Sequence, residues 1–142
     1  MSTAIVSTDP VFGPWIIPSR AQNMIMNQYS QSRGIIVDAV IPEPLFSKQL
    51  LTTRWSKESK KLSSIILCSI HQLPQDKSVI NSFLDDMDNV EVHFALENLC
   101  GIGRKFLLER IHESSVFLKT KVIPYRKTDS YKTLYYMMQN DK

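Results

Sequence analysis

Two residues of this sequence, His71 and Glu97, have the side chains that general acid–base catalysis needs. His71 follows a strongly apolar run and Glu97 follows another. An imidazole and a carboxylate on neighbouring strand ends can share a proton, which is the arrangement of a general acid and base. Gln72 is next to His71 and is predicted to orient a ligand. The alternative role of Glu97 is structural, as a cap for the loop that follows it.

The other candidate residues lie in predicted loops or beside them. Trp15 can stack on a ligand ring or form an apolar lid. Gln22 stands three residues after Ser19, which fits the capping box S-x-x-Q of a helix start. His93 is either a hydrogen-bonded core histidine or a functional one, and strand alternation puts it on the same side as Glu97. The complete predicted ligand-binding set is Ser7, Trp15, Gln22, Asn23, Gln72, His93 and Asn98.

The sequence lacks the motifs of several common chemistries. It contains no HExxH, no GxSxG and no clustered Cys/His set, and its two cysteines, Cys68 and Cys100, are far apart. Gly101 and Gly103 at a helix start can receive a phosphate, but two glycines fall short of a dinucleotide or Walker fingerprint. We therefore expect no metal site and no cofactor.

Strand patterns alternate with helix patterns along the chain. Short apolar or β-branched runs occupy residues 3–7, 35–40, 64–70 and 90–96, and residues 116–123 resemble an edge strand. Helical spacing follows each of the first four runs. This alternation predicts a three-layer α/β fold with a mostly parallel sheet, strand order 2-1-3-4 and helices on both faces. Ligands of such sheets bind outside the carboxyl ends of the strands, where the candidate residues lie.

Length and composition suit one globular domain. The chain has 142 residues, of which 43% are hydrophobic and 22% charged, and a net charge of +3. It has no apolar run long enough for a membrane helix and no signal peptide, so a cytoplasmic protein without membrane insertion is predicted. The lysine clusters are interpreted as solvated faces because they form no dense basic stripe. Nucleic acid is therefore not an expected partner.

The last residues are predicted to form a helical extension, residues 125–142, after a domain of residues 1–124. Tyr131, Leu134, Tyr135 and Met138 recur at the spacing of one apolar helix stripe. So short a helix must bury that stripe, either on its own domain or on a second subunit. The surplus of Tyr and Met favours a homodimer.

Four stretches of the sequence resemble the sporadic carbohydrate cluster family, small proteins of bacterial lipopolysaccharide and capsule gene clusters. They are residues 17–35 (IPSRAQNMIMNQYSQSRGI), residues 42–51, residues 64–74 (SIILCSIHQLP) and residues 92–99 (VHFALENL). The resemblance implies a role in surface-polysaccharide synthesis but brings no established reaction with it. The family pattern has an arginine where this chain has Thr8.

The order of elements is also similar, more remotely, to the catalytic domain of serine recombinases. The resemblance would put a nucleophilic serine before the first helix, where this chain has Pro18. It would put phosphate-holding arginines where this chain has residues 71–74, HQLP. Only the fold is therefore expected to be shared.

Two functional hypotheses follow. In the first, the protein acts on or binds a sugar or nucleotide-sugar intermediate of surface-polysaccharide synthesis, with His71 and Glu97 as the acid–base pair. In the second, it is a non-catalytic accessory module for a neighbouring glycan-biosynthesis enzyme. The residues leave open whether the protein is an enzyme.

Overall fold

The computed structural model describes residues 2–42 and 62–117 of the chain. The strands within them are β1 (Ser2–Ser7), β2 (Val11–Phe12), β3 (Trp15–Ile16), β4 (Ala39–Pro42), β5 (Leu62–Leu67), β6 (Glu91–Phe94) and β7 (Leu99–Gly101). The helices are α1 (Ser19–Ser32), a 3₁₀ helix (Ile70–Gln72), α2 (Lys77–Asp86) and α3 (Arg104–Phe117).

Five of these strands form one sheet, in the order β4-β1-β5-β6-β7. The pairs β1–β4, β1–β5 and β5–β6 are parallel, whereas β6–β7 is antiparallel. The four strands predicted from the sequence correspond, in chain order, to β1, β4, β5 and β6. The predicted mostly parallel α/β sheet, with these strands in the order 2-1-3-4, is therefore confirmed. β2 and β3 form a separate antiparallel ribbon.

The fifth strand is not the one that the sequence predicted. It comes from Leu99–Gly101, while Val116 and Phe117 of the predicted edge strand lie in the last turns of α3. Ser114 in those turns is fully buried and bonds to His71, which favours the helix over a strand. The rest of that predicted strand, residues 118–123, lies outside the described residues.

The sheet has an apolar core on each face. On one face α1 packs Met26 and Tyr29 against Ile5 and Ile66. On the other face α2 and α3 contribute Phe83, Leu84, Leu107 and Ile111 to a larger cluster with Val6, Ile65, Val92 and Phe94. Because each face is covered by helices, the central strands are apolar on both sides, as in other parallel sheets.

The second strand of the sheet begins later than its apolar pattern suggests. The sequence predicted it over residues 35–40, but pairing with β1 starts at Ala39. Just before that residue, the Asp38 carboxylate accepts the backbone N–H of Thr3 at 2.9 Å, and the Asp38 N–H donates to the Thr3 carbonyl. Ile35 instead bonds back to Ser30 at the end of α1, so the strand cannot begin there.

Several sequence predictions fall outside the described residues. They are the helix of residues 45–55, the C-terminal helix of residues 131–138 and the domain boundary at residue 124. The homodimer predicted from the C-terminal helix also stays a prediction. Within residues 2–42 and 62–117, no helix is both long and apolar enough to span a membrane.

Candidate functional site

Gln22 occupies the crevice at the carboxyl end of β1. The side chain is fully buried in the first turns of α1. Its Oε1 accepts the N–H of Thr8 at 2.9 Å, and its Nε2 donates to the carbonyls of Thr8 at 3.0 Å and Ile17 at 2.8 Å. The predicted capping box is wrong, because Pro18 is the N-cap residue and no side chain caps α1. Gln22 instead holds both ends of the loop between β1 and α1.

Gln72 likewise bonds to the backbone, here just after the end of β5. Its Oε1 accepts the N–H groups of Cys68 at 2.8 Å and Ser69 at 3.1 Å. Its Nε2 donates to the hydroxyl of Thr8 at 2.7 Å and to Oε1 of Gln22 at 3.1 Å. The two buried glutamines and Thr8 therefore form one hydrogen-bonded unit, which we call the glutamine network.

The glutamine network lies where such sheets usually bind ligands. β1 is joined to β4 on one side and to β5 on the other, so the strand order reverses at β1. Crevices at this position receive ligands in open parallel sheets. Here the crevice is filled by side chains that satisfy one another, and Gln22 and Gln72 are 0% and 1% exposed.

Glu97 bonds to the start of the 3₁₀ helix. One carboxylate oxygen accepts the Ser69 hydroxyl at 2.8 Å and the other accepts the Ile70 N–H at 2.9 Å. The fold brings Glu97, His71 and Gln72 to the ends of neighbouring strands, β5 and β6. Among the described residues, however, both Glu97 oxygens bond to Ser69 and Ile70, and no bond joins Glu97 to His71.

Burial raises the pKa of Glu97, and the nearby Glu113 carboxylate raises it further. The hydrogen bonds from Ser69 and Ile70 act in the opposite direction but do not offset the loss of water. The folded protein therefore holds the Glu97 proton more tightly than the unfolded chain does.

This shift predicts a pH dependence of stability. The contribution of Glu97 is present below its ordinary pKa of 4.5 and is lost as the pH rises through the raised pKa. Glu97→Gln should remove this loss, because an amide can still accept from Ile70 and donate to the Ser69 oxygen. Thermal melts of both proteins between pH 4 and 8 measure the difference. Parallel melting curves would contradict the raised pKa.

His71 faces α3 and the tip of the ribbon. Its Nδ1 lies 2.8 Å from the Ser114 hydroxyl, and its ring packs against Phe117 with the centroids 5.2 Å apart. Burial lowers the pKa of His71, so the ring is neutral at neutral pH. Gly13 in the ribbon turn is so close that a Cβ there would lie 2.5 Å from the His71 Cγ.

His93 lies in β6, one residue before the end of the strand, and its ring faces α1. Its Nδ1 is 2.9 Å from the Tyr29 hydroxyl and its Nε2 is 2.6 Å from a Glu91 oxygen. The residue is 5% exposed, so these two bonds satisfy a buried ring between α1 and β6. This geometry fits a hydrogen-bonded core histidine, the first of the two roles predicted for His93.

The remaining candidates do not converge on one point. Ser7 ends β1 and is buried. Asn98 has a left-handed backbone (φ 56°) and accepts a bond from Arg33. The Asn23 Oδ1 is buried without a hydrogen-bond partner among the described residues. Trp15, on the ribbon, is 40% exposed. Their roles as ligand-binding residues stay predictions.

Sequence reasoning missed three residues of this region. Thr8, Ser69 and Ser114 are all buried, and each provides the partner of a predicted site residue. The motif S-x-x-Q at residues 69–72 was the available signal for Ser69, since Ser69 and Gln72 form a capping box at the 3₁₀ helix. Nothing in the sequence marks Ser114, whose partner is 43 residues away.

The fold of the chain is similar to that of serine recombinase catalytic domains. The structure is similar to the N-terminal catalytic domain of TP901-1 integrase, with a TM-score of 0.55 and 9% identity over 88% of this chain and 99% of that one. It is equally similar to a resolvase-family site-specific recombinase from Streptococcus pneumoniae, with a TM-score of 0.55 and 9% identity over 99% of this chain and 98% of that one. The sequence matches no protein-family model and no curated protein.

These similarities correct the functional hypotheses drawn from the sequence. The remote resemblance to serine recombinase catalytic domains is confirmed as a likeness of fold, while membership of the carbohydrate cluster family has no support. The predicted role in surface-polysaccharide synthesis is wrong, because the structural neighbours are recombinases. The sugar-type ligand, the glycan-biosynthesis partners and the exclusion of nucleic acid are wrong for the same reason. The carbohydrate hypotheses rested on four short stretches of sequence, and the exclusion of nucleic acid rested on the absence of a dense basic stripe.

Proposed function

We propose that this chain is a recombinase-fold domain that binds DNA and leaves the strands uncut. The observation that carries the proposal is the glutamine network. It fills the crevice at the carboxyl ends of β1 and β5 with neutral amides that are already hydrogen-bonded. Cutting a phosphodiester needs an activated nucleophile and cations that stabilise the charge on phosphorus. The crevice offers neither in the described residues.

The hydroxyl groups of the crevice support the non-cleaving part of the proposal. Thr8 donates to the Asp9 carbonyl and accepts from Gln72. The two nearest titratable candidates, His71 and Glu97, bond to Ser114, Ser69 and Ile70 instead. Among the described residues, neither His71 nor Glu97 is hydrogen-bonded to Ser7 at the end of β1.

Three of the described arginines bond to groups outside the glutamine network. Arg33 bonds to Asn98, Arg104 to Asp85 and Asn81, and Arg110 to Glu109 and Glu113. Most of the other lysines and arginines belong to residues 43–61 and 118–142 of the sequence. These basic stretches are a sequence-level reason to expect attraction to DNA phosphates.

The test measures binding and cutting separately. Fluorescence anisotropy with a labelled duplex should give a dissociation constant in the micromolar range, on the order of 10⁻⁶ to 10⁻⁴ M at physiological salt, that weakens as salt rises. Supercoiled plasmid incubated with the protein should stay supercoiled.

Each half of the proposal has its own contrary result. Absence of duplex binding at 50 mM salt would overturn the DNA-binding half. Nicked plasmid that disappears with Ser7→Ala would overturn the non-cleaving half and identify Ser7 as a nucleophile. Serum albumin at the same concentration controls for non-specific anisotropy changes.

A further inference from the structure

The ribbon of β2 and β3 presents apolar side chains to solvent at the carboxyl edge of the sheet. Val11 and Ile16 pair across the two strands and are 56% and 57% exposed. Trp15 and Pro14 beside them are also exposed. Exposed apolar side chains that adjoin one another commonly mark an interaction surface.

The ribbon is firmly attached to the domain. Phe12, which pairs with Trp15, is 3% exposed and belongs to the core on the α1 face. The Ile17 N–H donates to the Pro10 carbonyl and closes the base of the ribbon at 2.8 Å. Gly13 in its turn touches His71. The apolar surface is therefore displayed on a rigid element and does not need to be ordered on binding.

Positive charge follows this apolar surface closely along the chain. α1 begins three residues after Trp15–Ile16, and its N-terminus has no side-chain cap and no acidic residue in the first turn. Arg20 in that turn is exposed. A helix N-terminus together with an arginine suits a phosphate group. Asp9, exposed at the base of the ribbon, is the one carboxylate in the same stretch of chain, residues 8–20.

We infer that the ribbon and the first turn of α1 form the contact surface for duplex DNA. Arg20 and the free N–H groups of α1 would bind a backbone phosphate, while Pro14, Trp15 and Ile16 would lie against sugar and base surface in a groove. Two-stranded ribbons fit DNA grooves, and apolar side chains, including proline and isoleucine, are used as wedges there. This inference rests on the proposed function and specifies which surface carries it.

The experiment compares matched exposed residues at opposite ends of the fold. Ile16→Ala is paired with Ile102→Ala, because both isoleucines are 57% exposed and Ile102 lies beyond β7. Arg20→Ala is paired with Lys105→Ala, because each residue is exposed and is the second residue of a 14-residue helix. Duplex affinity is measured by anisotropy at several salt concentrations, alongside the melting temperature.

The ribbon variant should weaken duplex binding about tenfold through lost apolar contact, with an unchanged melting temperature. Arg20→Ala should reduce the salt slope by about one unit. Ile102→Ala and Lys105→Ala should bind like the parent protein. In a Trp55→Phe background, Trp15 is the remaining tryptophan and its fluorescence should change on addition of duplex.

The contrary outcomes are distinct. If the parent protein binds duplex but the ribbon and control variants bind alike, the ribbon inference is overturned and DNA binding stands. If Ile16→Ala alters the mass measured by light scattering while duplex affinity is unchanged, the surface binds a second copy and not DNA. If the parent protein does not bind duplex, the proposed function fails, and the ribbon inference with it.

Discussion

Gln72→Leu is expected to lower the free energy of unfolding by roughly 3–5 kcal/mol, because it leaves several buried polar groups without partners. The N–H groups of Cys68 and Ser69 lose their acceptor, and the Thr8 hydroxyl and Gln22 Oε1 each lose a donor. Leucine approximates the volume of glutamine, so little of the effect should come from a cavity. Urea denaturation followed by circular dichroism measures the change.

Gln75→Leu is the matched control for this substitution. Gln75 is exposed, three residues further along the chain, and the hydrogen bond from its side chain to the Ile111 carbonyl is long at 3.5 Å. Its replacement should change the free energy of unfolding by less than about 0.5 kcal/mol, as is usual for surface positions. Equal stability of the two variants would show that the glutamine network does not hold the strand ends.

The network should also be cooperative. Gln22→Leu and Gln72→Leu remove partners from the same three-residue unit, so the double variant should be less destabilised than the sum of the single ones. If the double variant is too unstable to measure, Thr8→Val gives a smaller perturbation of the same unit. Strict additivity would mean that the two glutamines act independently.

Gly13→Ala is expected to be the most damaging glycine substitution in the described residues. Gly13 has a left-handed φ of 57°, and a Cβ at this position would lie 2.5 Å from the His71 Cγ and 2.6 Å from its Cβ. The left-handed conformation alone costs an alanine about 1–2 kcal/mol. Displacement of His71 or of the ribbon adds to that cost.

Gly34→Ala separates the two contributions. Gly34 has a similar φ of 69°, but a Cβ added there would meet no atom of residues 2–42 and 62–117 within 4 Å, so we expect its substitution to carry the conformational cost alone. The melting temperature of Gly13→Ala should therefore lie below that of Gly34→Ala. Adding His71→Gly, which removes the atoms in conflict, should recover part of the difference. Equal melting temperatures for the two alanine variants would show that the ribbon does not press on His71.

The sequence allowed the fold to be predicted more fully than the site. The continuous apolar runs indicated strands that are buried on both faces, as parallel strands are. The alternation of these runs with helix patterns indicated the parallel sheet and its strand order. The ends of the strands were harder to predict. A hydrogen bond of Asp38 precedes the start of β4, and a hydrogen bond of Ser69 caps the 3₁₀ helix that follows β5. The apolar pattern of the sequence carries no information about such hydrogen bonds.

The motif S-x-x-Q shows why the site was difficult. It occurs at Ser19–Gln22 and again at Ser69–Gln72, and only the second is a capping box. At the first, Gln22 bonds to Thr8, 14 residues earlier in the chain, and to Gln72, 50 residues later. A local motif cannot reveal a more favourable partner that the fold brings from a distance. The same is true of Glu97, whose partners Ser69 and Ile70 are 28 and 27 residues away.

The position of β1 in the sheet has a consequence for the order in which the protein folds. β1 is synthesised before the other described strands, yet it lies between β4 and β5, and the Thr3 hydroxyl contacts the Ser64 hydroxyl across 61 residues of chain. Ala4 and Ile5 are each 0% exposed in the folded sheet. During synthesis they therefore cannot be buried in this way until both neighbouring strands have been made. The pair β6–β7, joined by a short turn, closes over a much smaller separation. Since local contacts form before distant ones, the last strands of the sheet should nucleate folding and the first should join late.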